Sequence, residues 1–491
     1  MMKFSYSLVC ALLCVLFASA QNKLPVDSVI STKHTTTIKG QAINYTAHKG
    51  TQPVWDDEGK IVATLDYTFY EREGVTNKDT RPLVISFNGG PGSASVWMQI
   101  AYTGPTLINI DDEGNPVQPY GYKQNPYSIL DVADIIFINP VNTGYSRIVD
   151  EKVNRSIFFG TNADIRYLAS WINTFVSRQS RWPSPKYLIG ESYGTTRVSG
   201  LAYELQNNHW MYLNGVVLVS PTDLGIKRDG PVGSALTLPY YAATAWYHNA
   251  LPADLQQKDL TDMLPEVEEF TINEYIPALV RGGLLTAAEK QSLAAKIARY
   301  SGLPEKVILQ NNLDVSTNLF WKELLRDEGY TVGRLDSRYR GIDKKDAGER
   351  PDFNAELTSW LHSFTPAINH YMRNKLNFKT DVKYNMFGPV HPWDRNNDRT
   401  GENLRQAMAI NPYMHVLVQA GYYDGACDYF SAKYNMWQMD PSGKLQDRMH
   451  YEAYRSGHMM YLRKADLEKS NEDLRIFIQA STPAPGAPAM Y

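Results

Sequence analysis

Cysteine is scarce in this chain, with three in 491 residues, Cys10, Cys14 and Cys427. Two of them fall in the first twenty positions, so a chain trimmed there keeps Cys427 alone and forms no internal disulfide. Long apolar runs are scarce too. LVCALLCVLFA, Leu8 to Ala18, follows a short basic start and is too short to span a bilayer. It leads into Ala18-Ser19-Ala20, the small-x-small pattern of a secretory cleavage site. Residues 1–20 are therefore expected to be a signal peptide cleaved after Ala20, sending the chain out of the cell or into a periplasm. No later apolar run approaches a membrane span, so no membrane contact is expected after cleavage. An excess of one charge is also missing: Lys and Arg total 49 against 52 Asp and Glu, a formal net charge of −3. That balance gives no electrostatic reason to expect nucleic acid as a partner. The Gly-rich stretches lack the Gly-Lys-Ser/Thr of a phosphate cradle, and no His/Cys/Asp cluster has metal-ligand spacing. Neither a metal nor a cofactor is expected. An exported chain without disulfides must be held by its core, and this one is long enough to have a large one.

What is present divides the sequence into four kinds of text. From Thr36 to Glu73 polar and apolar residues alternate, rich in Thr and aromatics, as in antiparallel strands. Then come short apolar runs stopped by Gly, Pro or Asn: PLVISF (82–87), DIIFIN (134–139), KYLIG (186–190) and NGVVLVS (214–220). Such runs fit strands buried on both faces of a parallel sheet. Between the second and third, Ile165, Leu168, Ala169 and Ile172 share one face of a helix over 161–178, which makes a βαβ unit. Residues 226–394 turn Leu-, Glu-, Lys- and Ala-rich and read as a mostly helical cap inserted into the core. Strand patterning returns at HVLVQAG (415–421) and MHYEAY (449–454). The expected organisation is thus a core of 21–225 and 395–480, the cap between them, and a disordered Pro/Ala-rich tail over 481–491.

The stretch KYLIGESYG places Ser192 between Gly190 and Gly194, where a strand gives way to a helix. A serine there is pushed above the sheet on a strained turn, with glycines relieving the crowding, which is the arrangement of a nucleophile elbow. Serine needs a base, and in this architecture the order along the chain is serine, acid, histidine. Of ten histidines, His458 in Ser456-Gly-His-Met459 is the one that follows the last strands. Asp424, on the loop after HVLVQAG, is the expected acid, with Asp428 as the fallback. The loop FNGGPGSAS (87–95) exposes backbone N–H groups, so Gly90 and Tyr193 are the expected oxyanion donors.

Taken together, FNGGPGSAS, NPVNTGYS, GESYG, GYYD and SGHM resemble the serine carboxypeptidases in their bacterial form. The resemblance implies an α/β-hydrolase fold with a mostly parallel central sheet and a helical cap. It implies peptide substrates, cleaved at the C-terminal residue through an acyl-enzyme. By position, it also implies that Asn88, Gly89 and Glu191 bind the substrate's terminal carboxylate. A carboxyl can hold a carboxylate only by sharing a proton, so acidic pH should favour binding. The chain departs from the family at four places. Tyr102 stands where a second glutamate is usual and Ser86 where a tryptophan is, while Asn139 and Asn142 replace an aspartate and a glycine. These departures thin the carboxylate clamp and leave an esterase or acyltransferase with the same triad as the alternative. A non-catalytic binding protein on a hydrolase scaffold is the third reading.

Overall fold

The computed structural model describes residues 24–488. The expected signal peptide and the last three residues of the expected tail lie outside them. Three long strands open the fold: β1 (Ser28–Ile38), β2 (Gln41–Trp55) and β3 (Ile61–Arg72), each antiparallel to the next. Over its first eight residues β1 alternates exposed and half-buried positions, as an edge strand with one solvated face does.

The apolar runs form the centre. They are β4 (Leu83–Phe87), β5 (Asp134–Ile138), β6 (Lys186–Glu191), β7 (Gly215–Val219), β8 (His415–Gly421) and β9 (Met449–Tyr454). Every residue of β4 to β7 is buried, which explains why these strands read as unbroken apolar runs rather than alternations. The spatial order is β1-β2-β3-β5-β4-β6-β7-β8-β9, with β5 through β9 all parallel. The mixed α/β architecture with a mostly parallel sheet is the one expected.

Helices α1 (Thr161–Arg178) and α2 (Tyr193–Asn208) connect β5 to β6 and β6 to β7. Their apolar faces share one core with the sheet, including Leu168, Ile172, Val198 and Leu205. A second core on the opposite face takes in Leu474 and Ile478 of the C-terminal helix, Lys464–Ser481. A third cluster lies in the helical segment between β7 and β8 and reaches the sheet at Ala420 of β8, with Tyr423, Tyr429 and Phe430 beside it. From Leu376 to Arg399 that segment carries no helix or strand.

The order of the parallel strands fixes where a ligand can sit. From β4 the chain steps to β5 on one side, then crosses through α1 to β6 on the other side of β4. At such a reversal the connections leave in opposite directions and open a crevice at the carboxyl ends of the two strands. The loops that leave β4 and β6 are FNGGPGSAS and GESYG.

Candidate active site

Ser192 sits at the tip of the turn between β6 and α2 with φ 58° and ψ −128°, a strained backbone for a residue with a Cβ. The strain is held from both sides. Ser192 N–H donates to Val219 O at 2.9 Å on the neighbouring strand, and its carbonyl accepts from Thr195 N–H at 2.8 Å. A Cβ on Gly190 would lie 2.1 Å from Gly194 O, so the elbow closes only with glycine there. The loop after β4 packs directly against it: a Cβ on Gly89 would come within 2.4 Å of Tyr193 N. Gly90, at φ +105°, turns the chain over the elbow. Among the described residues, neither Gly90 N–H nor Tyr193 N–H donates to another backbone group, the condition for the expected oxyanion donors.

Asp424 and His458 arrive on the loops after β8 and β9. Asp424 is fully buried. Its Oδ1 accepts from Ala426 N–H at 2.9 Å and Cys427 N–H at 3.0 Å, which turns Oδ2 toward His458 Nδ1, 2.7 Å away. That contact assigns the proton to Nδ1 and leaves Nε2 facing the cavity. The loop carrying His458 is held by the cap. His458 N–H donates to Leu335 O at 2.6 Å, Asp336 accepts from Gly457 N–H at 3.2 Å, and Arg338, paired with Asp336, donates to Ser456 Oγ at 3.1 Å. Asp428, the fallback acid, is instead the N-cap of the helix Tyr429–Met439, accepting from Ser431 N–H at 2.7 Å.

Ser192, His458, Glu191, Asn88 and Gly89 line one cavity of about 580 Å³. The serine hydroxyl makes no hydrogen bond to the imidazole; His458 Nε2 lies 3.7 Å from Glu191 Oε1 instead. Glu191 is buried, and its Oε2 accepts from Asn88 Nδ2 and from the Tyr461 hydroxyl, the latter at 2.7 Å. Asn88 cannot flip, because its Oδ1 already takes Met98 N–H at 3.0 Å. Burial pushes the Glu191 carboxyl above its usual range, against the pull of His458, Tyr461 and Asn88. Burial alone would depress the His458 imidazolium, but the charges of Asp424 and Glu191 outweigh it and the net shift is upward.

Among the described residues, one group of potential metal ligands gathers, Asp424, Cys427 and His458, with donor atoms within 4.8 Å of one another. It is the acid–imidazole pair with a buried thiol behind it, and Nδ1 and Oδ2 are already committed to each other.

The departures from the family pattern have local explanations. Tyr102 is buried, stacks on the Tyr461 ring at 4.7 Å and 11°, and donates to Gln419 Oε1 at 2.7 Å. Tyr461, which the sequence did not single out, therefore reaches Glu191 braced by the residue that replaces the second glutamate. Asn142 has φ 68°, the left-handed region that asparagine tolerates best after glycine. Asn139 bridges Ser95 N–H, accepted at 2.8 Å, to Asp66 Oδ2 at 2.7 Å, and Asp66 is ion-paired with buried Lys49. The missing acid has moved to β3. Ser86 is buried with its hydroxyl unpartnered, and nothing in the structure explains it.

Comparison with known proteins now decides the lineage. The profile of the serine carboxypeptidases, peptidase family S10, matches residues 60–468. This chain is a member of the serine carboxypeptidase family. Among curated relatives of these hydrolases, serine carboxypeptidase S10 family member 1 of Dictyostelium discoideum is 28% identical over 144 residues, 29% of this chain and 31% of that one. Serine carboxypeptidase-like 36 of Arabidopsis thaliana is 29% identical over 160 residues, 31% of either chain. The matched stretches thus span about a third of these relatives. The crystal structure of Kex1(Δ)p, a prohormone-processing carboxypeptidase from Saccharomyces cerevisiae, superposes with a TM-score of 0.51 at 15% identity, covering 89% of this chain and 92% of that one. That likeness is one of fold, a mixed α/β architecture around a mostly parallel sheet. No helix among the described residues is long and apolar enough to cross a membrane.

Proposed function

We propose that this protein is an exported serine carboxypeptidase that removes C-terminal residues from peptides through an acyl-enzyme. The observation that carries the reading is the placement of Glu191. It stands beside Asn88 and 3.7 Å from His458, in the cavity that also holds Ser192. A terminal carboxylate held by Asn88, Gly89 and Glu191 puts the last peptide carbonyl over Ser192. His458 Nε2 takes the hydroxyl proton as Ser192 Oγ attacks, and the Gly90 and Tyr193 N–H groups receive the oxyanion. His458 returns the proton to the departing amine, the C–N bond breaks, and water attacks the ester by the same route in reverse. Asp424 holds the imidazole and stabilises its charged form.

The Glu191–His458 pair gives this reading a pH dependence. At contact distance in a buried site the two titrate as a unit. With one proton on the pair, substrate needs that proton on Glu191, where it is shared with the incoming carboxylate, and that leaves His458 neutral as the base. Loss of the proton at higher pH sets two carboxylates against each other, so turnover of free acids is favoured at acidic pH. Cleavage after Ala20 would deliver the enzyme outside the cell or to a periplasm.

The test compares a blocked dipeptide with a free C-terminus, its amide and an aryl ester. Preference for the free acid, loss of turnover in Ser192→Ala, and covalent labelling of Ser192 by a fluorophosphonate are expected. Hydrolysis of the ester alone would establish the esterase reading, which the thinner clamp at Tyr102 favours. Failure to label Ser192 would mark a binding protein.

A further inference from the structure

The substrate cavity does not end at the catalytic residues. At Arg334, Asn354 and Ala426 it meets a second cavity of about 610 Å³, which continues past the Gly425–Ala426 turn. If the peptide terminus is anchored by Asn88, Gly89 and Glu191, the residues upstream of the attacked carbonyl must leave away from that anchor, and this junction is the opening toward the second cavity. Arg334 stands at the junction, exposed, its carbonyl accepting Gly425 N–H at 3.0 Å and its residue adjoining the Leu335 that holds His458. Among the described residues its guanidinium has no hydrogen-bond or ion-pair partner. Arg350, further into the second cavity, is likewise exposed and without an ion-pair partner among the described residues. Arg228 lines the first cavity near Cys427, and its Nη1 is buried with no partner. A buried guanidinium N–H without an acceptor costs free energy that a ligand oxygen can recover.

Acidic groups in the two cavities are otherwise engaged. Asp223 accepts from Gly225 N–H at 3.1 Å, Asp398 from Thr400 N–H at 3.0 Å, and Asp352 from Lys344 N–H at 2.9 Å. Arg228 already faces buried Asp428, whereas Arg334 and Arg350 have no carboxylate partner among the described residues, and each offers donors in the planar form that matches a carboxylate.

Resting on the carboxypeptidase reading for the direction of the chain, we infer that the acyl side of the cleft selects acidic peptides. Arg334 and Arg228 receive the side-chain carboxylate of the penultimate residue, whose carbonyl is attacked, and Arg350 receives carboxylates further upstream.

The experiment uses two matched series differing only in the residue that donates the acyl group: Glu, Gln or Lys. One series consists of N-blocked dipeptides with a common free C-terminal residue, the other of aryl esters of the N-blocked amino acids. The esters read the acyl side without the terminal clamp. At about pH 6, where a glutamate side chain is ionised, kcat/KM for Glu should exceed that for Gln on the order of tenfold, with Lys the poorest. The advantage should shrink in high salt, a measurement that needs no variant. Arg334→Gln should lower the Glu/Gln ratio at least threefold, and Arg334→Glu should shift preference toward Lys. Equal kcat/KM for Glu, Gln and Lys in the ester series, or a ratio indifferent to both variants, overturns the inference. Inactive peptides with a Glu preference among the esters would sustain it and sink the carboxypeptidase reading; active peptides without that preference would do the opposite.

Discussion

Tyr461→Phe isolates one hydroxyl in the terminal clamp. The ring remains to stack on Tyr102, so packing is kept and only the 2.7 Å hydrogen bond to Glu191 Oε2 is lost. In the proposed complex Glu191 shares its proton with a substrate carboxylate and carries part of a negative charge, so the bond is charge-assisted and should contribute about 1.5–3 kcal/mol. That corresponds to a fall of roughly ten- to 150-fold in kcat/KM for a free-acid dipeptide. The amide of the same dipeptide places no carboxylate in the clamp and should change less than about twofold. A pH effect accompanies the loss. The Tyr461 bond favours the ionised form of Glu191, so its removal adds to the upward shift that burial already imposes. Free-acid turnover, which needs the protonated form, should then persist to higher pH in the variant. The assay is a pair of pH profiles, acid and amide, on wild type and variant, with thermal melting as a control for folding. An equal fall on both substrates would show a merely structural role, and an unchanged free-acid rate would show that Tyr461 holds nothing the substrate uses.

Further outcomes follow from the same geometry. Fluorophosphonate labelling of Ser192 bypasses the clamp and needs neutral His458. Because that imidazole is shifted upward, labelling should fade as pH drops through a value above the ordinary histidine range, and Asp424→Asn should slow it severely. Glu191→Gln keeps a donor toward a substrate carboxylate at every pH, so competitive inhibition by free-acid peptides should lose its alkaline fall; equally tight inhibition at low and high pH in wild type would remove the shared-proton idea. Gly89→Ala places a Cβ 2.4 Å from Tyr193 N and should cost about 2–4 kcal/mol or abolish folding, read as the urea midpoint and as labelling of any folded fraction. Lys49→Met leaves Asp66 buried without its counter-charge and should destabilise by about 3–5 kcal/mol; a midpoint unchanged from wild type would show that Asn139 and the Tyr145 N–H suffice to hold that carboxylate.

The inner parallel strands β4 to β7 were readable because each is sealed on both faces, which forces an unbroken apolar run such as DIIFIN, and the elbow because glycine is obligatory where Gly190 faces Gly194 O. The helix Ala287–Ser301 declares itself through a capping box between Thr286 and Glu289. Tyr461 was out of reach for the opposite reason. It acts by stacking on a residue 359 positions away and by one hydroxyl contact, and neither leaves a periodicity. The same holds for Leu335 and Asp336, whose contacts with the His458 loop join the cap to the far end of the chain. Replacement of the expected aspartate by Asn139 looked like a loss, whereas the charge is supplied by Asp66 from a different strand.

The contact between Leu335 and His458 N–H ties the helical segment to the proposed proton carrier, while the neighbouring Arg334 lines both cavities. Grafting a new lid onto this scaffold to change its appetite would therefore unmoor the imidazole as well. Retuning is safer one guanidinium at a time, with the segment from Leu335 to Arg338 left untouched.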